Sequence, residues 1–251
     1  MTVLALEGLA IGHGRPLAQG IDAALAAGSV TCLLGPNGVG KTTLIRTLMG
    51  LIPALAGRVL VGGDDIAFLP RQAIARRIAY VPQGYAGDFA YTVIDLVVMG
   101  RTAYLGPFAS PRRADVERAM AALDALGIAD LAPRDALRIS GGQRQLALIA
   151  RALAQEARLV VMDEPTASLD LANRLMVQDR ILALAATGPA VLLSTHEPEQ
   201  AFALGGRAWT LGADGFAIPD RLDGGILSRL YGIPLEVETT LSGRHVVGRK
   251  L

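Results

Sequence analysis

The stretch Gly35-Pro36-Asn37-Gly38-Val39-Gly40-Lys41-Thr42-Thr43 follows the apolar run Val30-Thr31-Cys32-Leu33-Leu34 and precedes a helical pattern at Leu44, Leu48 and Met49. A strand, a glycine-rich loop and a helix in that order, with the spacing G-x-x-x-x-G-K-T, form a P-loop. Its glycines let successive backbone N–H groups turn inward, and the helix N-terminus adds partial positive charge, so the loop is suited to face a phosphate. In this motif Lys41 is expected to reach the β- and γ-phosphates of a nucleotide and Thr42 to offer its hydroxyl to Mg2+.

Other strand ends carry chemistry too. Leu159-Val160-Val161-Met162-Asp163-Glu164 is a continuous apolar run closed by two acids, as in a buried parallel strand with functional groups at its carboxyl end. Asp163 is placed for Mg2+, and Glu164 would orient and deprotonate an attacking water. Ala190–Thr195 is a second such run; it ends in His196, expected to meet the γ-phosphate. Ile78–Val81 is stopped by Pro82 and followed by Gln83, a neutral group able to touch a metal-bound water. Ser168-Leu169-Asp170 precedes a helix through Leu175 and Leu182. Ser140-Gly141-Gly142-Gln143, with Leu146, Ile149 and Leu153 behind it, is either an ordinary serine N-cap or a second phosphate-binding helix start. One domain needs a single phosphate cradle, so a second points to two copies sharing nucleotides. His13, between Gly12 and Gly14, either lays its ring on a base or is a solvated turn histidine.

Between these motifs, Val3–Leu9 alternates like a half-exposed strand, and Ile21–Leu25 reads as a second strand returning toward Val30–Leu34. Arg58–Val61 ends in the turn Gly62-Gly63-Asp64-Asp65. From Gly84 to about Ala154 the pattern becomes helical. Thr92 caps one helix with Asp95 three residues on, and Ser110-Pro111 opens another whose face is Val116, Met120 and Leu123, stopped by Gly127. The tail reads as strands at Arg207–Leu211 and Phe216–Ile218, a short helix near Ile226–Tyr231 and a hairpin around Ser242-Gly243-Arg244. The expected division is one domain: 1–83 and 155–251 as a core with added β-structure, and 84–154 as an inserted helical subdomain. Of the 5 Tyr and 5 Phe residues, Tyr85, Phe89, Tyr91, Tyr104 and Phe108 cluster after Gln83; they either fill the subdomain's core or line a groove for a partner.

The 251 residues suffice for one large core, and 51% hydrophobic against 19% charged residues describes a soluble but sticky chain. An uninterrupted apolar stretch of about 18 residues, as a membrane helix needs, is not evident. The first residues lack a secretory pattern, and the single cysteine, Cys32, excludes an intramolecular disulfide framework and reads as a small buried hydrophobe. A net charge of +1 gives no support for a nucleic-acid partner.

P-loop, Gln83, Ser140-Gly141-Gly142-Gln143, Asp163-Glu164, Ser168-Leu169-Asp170 and His196 occur in the order found in ABC-transporter ATP-binding subunits, which the chain resembles over its whole length. In that family these are the Walker A, Q-loop, signature, Walker B, D-loop and H-loop. The resemblance implies an α/β P-loop NTPase fold, with a RecA-like core, the inserted helical subdomain and an antiparallel β-subdomain. It implies ATP and Mg2+ as cofactors, Lys41, Gln83, Glu164 and His196 as catalytic residues, and Thr42, Gln83 and Asp163 around the metal. It further implies a head-to-tail homodimer in which Ser140, Gly141, Gly142, Gln143 and Asp170 act in trans on the other copy's nucleotide. Two departures stand out: the signature starts with Ile139 where the family usually has leucine, and His13 occupies the position of an adenine-stacking tyrosine, where a smaller ring stacks less surface. The segments Phe89–Thr102 and Gln143–Ala152 are similar to importers for iron chelates, haem, cobalamin and, most closely, molybdate or tungstate. Such a subunit is expected at the cytoplasmic face of the membrane, on separate permease subunits served indirectly by a substrate-binding protein. The alternative is a soluble ABC ATPase acting on nucleic acid or the ribosome, a type that usually carries two such domains or a long coiled-coil insertion. A regulator without turnover is disfavoured by the intact Asp163-Glu164 pair.

Overall fold

Side chains alternate across a pleated strand, so a strand apolar at every position must be covered on both faces. The computed structural model, which describes residues 1–84, 91–106 and 108–250, meets that demand with two sheets and flanking helices. In chain order, β1 (Thr2–His13) and β2 (Arg15–Ala26) form a hairpin, β3 (Val30–Leu34) enters the P-loop and α1 (Lys41–Leu48) leaves it. Then β4 (Ala56–Val61), β5 (Asp64–Asp65), α2 (Arg71–Ala75) and β6 (Ile78–Val81) lead to α3 (Val93–Val98), α4 (Arg113–Ala125) and α5 (Gly141–Ala154). After these come β7 (Leu159–Asp163), α6 (Leu171–Ala186), β8 (Ala190–Thr195), α7 (Pro198–Ala203), β9 (Ala208–Gly212) and β10 (Gly215–Ala217). Finally α8 (Gly224–Tyr231) precedes the hairpin β11 (Leu235–Thr239) and β12 (His245–Arg249).

The central sheet has the order β10-β9-β3-β8-β7-β6, parallel except for β10. Its pleat sorts neighbours into two cores. Cys32, Leu34, Val160, Met162, Val191 and Leu193 face the helical side, while Leu33, Leu159, Val161, Ala190 and Leu192 face α1 and the second sheet. That second sheet, β2-β1-β4-β5, is antiparallel, and Leu44, Ile45 and Leu48 of α1 are buried in the core it shares with the central one. The P-loop helix is thus clamped between two sheets. Register brings Leu34 beside Thr195 and Asp163 beside Ser194, which sets the P-loop, Glu164 and His196 at one edge, the carboxyl end where α/β sheets place their ligands.

Several expectations need correction. Ile21–Leu25 does form a strand, but β2 pairs with β1 and does not return to β3. The region between Ile11 and Arg15 is a tight hairpin in which β1 continues to His13, and a Cβ on Gly12 would lie 2.0 Å from the Arg15 carbonyl oxygen. The helix expected from Ser110-Pro111 begins at Arg113, with the Asp115 carboxylate accepting the Arg112 N–H at 2.9 Å. Val116 and Met120 are exposed there; Ala119, Ala122 and Leu123 are the buried face, because small residues let α4 approach α3 and α5. On α6, Leu175 and Leu182 likewise face out, and Val177, Ile181 and Leu184 face the sheet. Two equally spaced apolar sets lie on that helix, and the central sheet selects between them. The Thr92–Asp95 capping box, buried Cys32 and the tail strands and helix lie where expected within one or two residues.

Candidate functional site

The loop from Gly35 to Gly40 turns tightly. Gly38 and Gly40 sit at φ 79° and 114°, in the left-handed region that a side chain disfavours, and a Cβ on Gly35 would lie 2.2 Å from the Leu211 carbonyl oxygen. Lys41, 6% exposed, folds back into the loop and donates to the carbonyl oxygens of Gly35 at 2.7 Å and Pro36 at 3.0 Å. Burial pushes its ammonium below the usual lysine range, while the carboxylates of Glu164 and Asp163 pull the other way.

Around this lysine the structure gathers the strand-end residues. Lys41 Nζ lies 3.7 Å from Glu164 Oε1, Gln83 Nε2 donates to Glu164 Oε2 at 3.3 Å, and His196 Nδ1 lies 3.3 Å from Glu164 Oε1, off the hydrogen-bonding line and without another partner among the described residues. Thr42 Oγ1 donates to Asp163 Oδ2 at 3.1 Å. The backbone at Glu164 has φ 45°, a bend off the strand end that few non-glycine residues adopt.

One residue central to this geometry carries no motif in the sequence. Ser194 Oγ donates to Asp163 Oδ1 at 2.6 Å and accepts the Glu164 N–H at 2.9 Å, so one hydroxyl fixes both acids. Only knowledge of which strand pairs with β7 could have found it. Leu17 of β2 is a second such residue: its Cδ1 lies 3.3 Å from where a Cβ on Gly40 would be, which sets the β1–β2 hairpin against the P-loop. His13 stands exposed at the tip of that hairpin.

The Ser140 stretch is partnered elsewhere. Ser140 Oγ accepts the Gln143 N–H at 3.2 Å and Gln143 Oε1 accepts the Ser140 N–H at 3.0 Å, a reciprocal cap on α5. A Cβ on Gly142 would fall 2.3 Å from Asn173 Oδ1, so α6 comes in closely here; Asn173 in turn donates its N–H to Asp170, the cap of that helix, at 2.8 Å. That backbone N–H, with the Asn173 amide, holds the exposed Asp170 carboxyl below the usual carboxylate range. Within one chain the Ser140–Gln143 stretch thus packs through Gly142 against Asn173, the residue whose N–H also binds Asp170.

The aromatic cluster divides. Tyr85 and Phe89 lie outside the described residues. Tyr104 packs inward, its ring 4.0 Å from the Arg101 guanidinium and its hydroxyl donating to the Gln155 carbonyl at 2.9 Å. Phe108 is fully exposed and Tyr91 is 37% exposed.

The family model for "ABC transporter" matches residues 18–167, from within β2 to the turn after Glu164. An uncharacterised ABC transporter ATP-binding protein of Haemophilus influenzae is 44% identical over 204 residues, 81% of this chain and 78% of its own. The molybdate import ATP-binding protein MolC of the same organism is 36% identical over 87% of this chain and 83% of its own, and the hemin import ATP-binding protein HmuV of Streptomyces coelicolor is 36% identical over 89% and 81%. A solved chain of a metal-chelate type ABC transporter in an inward-facing conformation superposes with a TM-score of 0.88 at 32% identity, over 100% of this chain and 98% of that one. The chain belongs to the ABC transporter ATP-binding family, the P-loop NTPases whose ATPase activity is coupled to transport. Among the described residues, no helix is long and apolar enough to cross a membrane.

Proposed function

We propose that this chain is the Mg2+-dependent ATPase subunit of an importer for a metal chelate (iron-siderophore, haem or cobalamin) or for molybdate or tungstate. The observation that carries it is the convergence of Lys41, Gln83 and His196 on Glu164, beside the Thr42–Asp163 pair. Thr42 and Asp163 are a hydroxyl and a carboxylate 3.1 Å apart at the end of the phosphate loop, the oxygen donors that Mg2+ prefers. The metal, held there, would neutralise phosphate charge. The amides of the segment Gly35-Pro36-Asn37-Gly38-Val39-Gly40-Lys41-Thr42-Thr43, proline excepted, hold the phosphates, with the positive end of α1 behind them. Lys41 leaves its carbonyl partners for the β- and γ-phosphates, which frees Glu164 to take a proton from the attacking water. Gln83 holds the carboxylate, and Gln83 and His196 sense the γ-phosphate.

The working unit is a head-to-tail homodimer. The segment 84–154 acts as the helical subdomain of a core formed by 1–83 and 155–251, and it presents Ser140–Gln143 to the partner's nucleotide together with Asp170. The capped Ser140 hydroxyl keeps its hydrogen for a phosphate oxygen. His13 stacks on the adenine from the hairpin tip. His13→Tyr is expected to tighten ATP by at most about 1 kcal/mol; a calorimetric titration showing the same affinity would return His13 to solvent.

The permease docks where the core meets the helical segment. A cavity of about 440 Å³ there is lined by Met49, Leu51, Tyr80 and Met99, and Leu51 is 57% exposed. Exposed apolar side chains of this kind mark partner surfaces. The complex sits at the cytoplasmic face, and its binding protein meets only the permease. Alanine at Tyr91 or Phe108 is expected to leave the subunit folded and hydrolysing ATP while co-purification with the permease weakens. Undiminished co-purification of both variants would remove these rings from the docking surface. The importer class is tested by reconstituting the complex in vesicles and measuring phosphate release with a ferric chelate, haem, cobalamin or molybdate presented by its binding protein. Stimulation by none of the four would reject it.

A further inference from the structure

We propose that Tyr231, in the C-terminal tail, is a positioning residue that sets His196 against Glu164. The inference rests on the ATPase function proposed above. His196 follows directly on β8, and its backbone carbonyl accepts the Tyr231 hydroxyl at 2.7 Å, 35 residues further along the chain. On its other side the His196 ring stands 3.3 Å from Glu164. The tyrosine thus acts one residue away from the carboxylate, through the backbone of the histidine.

The tyrosine is held firmly enough to do this. Leu227 of α8 is fully buried in the larger core, Asp223 caps the helix by accepting the Ile226 N–H at 2.8 Å, and Ser228 Oγ accepts the Leu235 N–H at 2.8 Å, locking the helix to β11. Burial, with Glu199 and Glu197 nearby, pushes the Tyr231 hydroxyl well above the usual phenol range, so it stays a donor at working pH. The terminal hairpin grips the helix that follows His196. The Val247 N–H donates to Glu199 Oε1 at 3.3 Å, and the His245 and Phe202 rings lie 4.6 Å apart. Next to His196, Glu197 pairs with Arg174 at 2.8 Å and donates its N–H to Thr195 Oγ1 at 3.0 Å. Glu197 is thus tied on one side of the histidine, and the tie to the histidine's own carbonyl comes from the tail.

The test uses the full chain and Mg-ATP. Tyr231→Phe keeps the ring and removes one hydroxyl; kcat should fall about fivefold with KM unchanged, the share one neutral hydrogen bond holds. In a His196→Ala background the same change should cost nothing further, because the path runs through the histidine. Leu241→Ala, a change at an exposed position in the hairpin turn that spares the hydroxyl, should keep the wild-type kcat. In NMR spectra the His196 ring resonances should move in Tyr231→Phe while those of His13 stay. A kcat for Tyr231→Phe equal to wild type, an equal loss in the His196→Ala background, or an equal loss in Leu241→Ala would each overturn the assignment. If the wild-type chain shows no turnover, or Glu164→Gln retains it, the ATPase proposal fails instead. The His196 resonances then decide the link alone, and unmoved resonances in Tyr231→Phe reject it.

Discussion

Glu164→Gln is expected to lower kcat by about 10²–10⁴-fold while ATP still binds. The amide keeps the shape of the carboxylate and its acceptor oxygen, so the bond from Gln83 at 3.3 Å and the Ser194 bond to the residue's own N–H survive. What disappears is the basic oxygen proposed above to accept the proton of water. The charge partner of the buried Lys41, 3.7 Å away, also goes, and the phosphates replace it when nucleotide is bound. Unhydrolysed ATP should then trap the two-copy form. Phosphate release and sedimentation at saturating Mg-ATP measure both effects. Turnover within a few-fold of wild type would remove Glu164 from its role and move the base elsewhere.

Arg101→Ala is expected to cost about 3 kcal/mol of folding stability, in the range for breaking one partner out of a buried ion pair. Arg101 is 3% exposed and joins three elements: Asp115 of α4 at 3.2 Å, the Ala154 carbonyl at the end of α5 at 2.7 Å, and Glu156 at 2.8 Å. The Tyr104 ring covers it at 4.0 Å. Alanine leaves the Ala154 carbonyl without this donor and Asp115 without this countercharge, under a cavity the size of a guanidinium. At this chain length the thermal midpoint should fall by roughly 6–12 °C. The effect has a pH signature. Asp115 is held below the usual carboxylate range, first by the Arg112 N–H and then by Arg101. A carboxyl with a depressed folded pKa stabilises above its unfolded pKa and loses that contribution as pH falls through the folded one. The gap between wild type and Arg101→Ala should therefore narrow on acidification. Urea unfolding across that window checks it, and a loss under about 1 kcal/mol at neutral pH would mean that water replaces the guanidinium.

What was legible in the residues alone is what local physics dictates. Gly38 and Gly40 announce left-handed backbone, the apolar runs ending in Asp163 and Thr195 announce strands buried on both faces, and Ser140 and Thr92 announce helix starts, all recovered in the structure. Each depends on neighbours within a few positions, so sequence spacing suffices to specify it. Partner choice across the chain is a different matter. That β2 joins β1, that α4 buries Ala119 and Ala122 where Val116 and Met120 were expected, and that α6 turns Val177 inward were decided by which surface each element met. The same holds for the chemistry. Glu164 could be named from its strand end, but Ser194, which ties its N–H and the Asp163 carboxylate together, and Tyr231, which reaches the His196 carbonyl, have ordinary local sequences. A hydrogen bond spanning 30 or 35 residues leaves no periodic trace, because its geometry exists only once the sheet and the tail have packed.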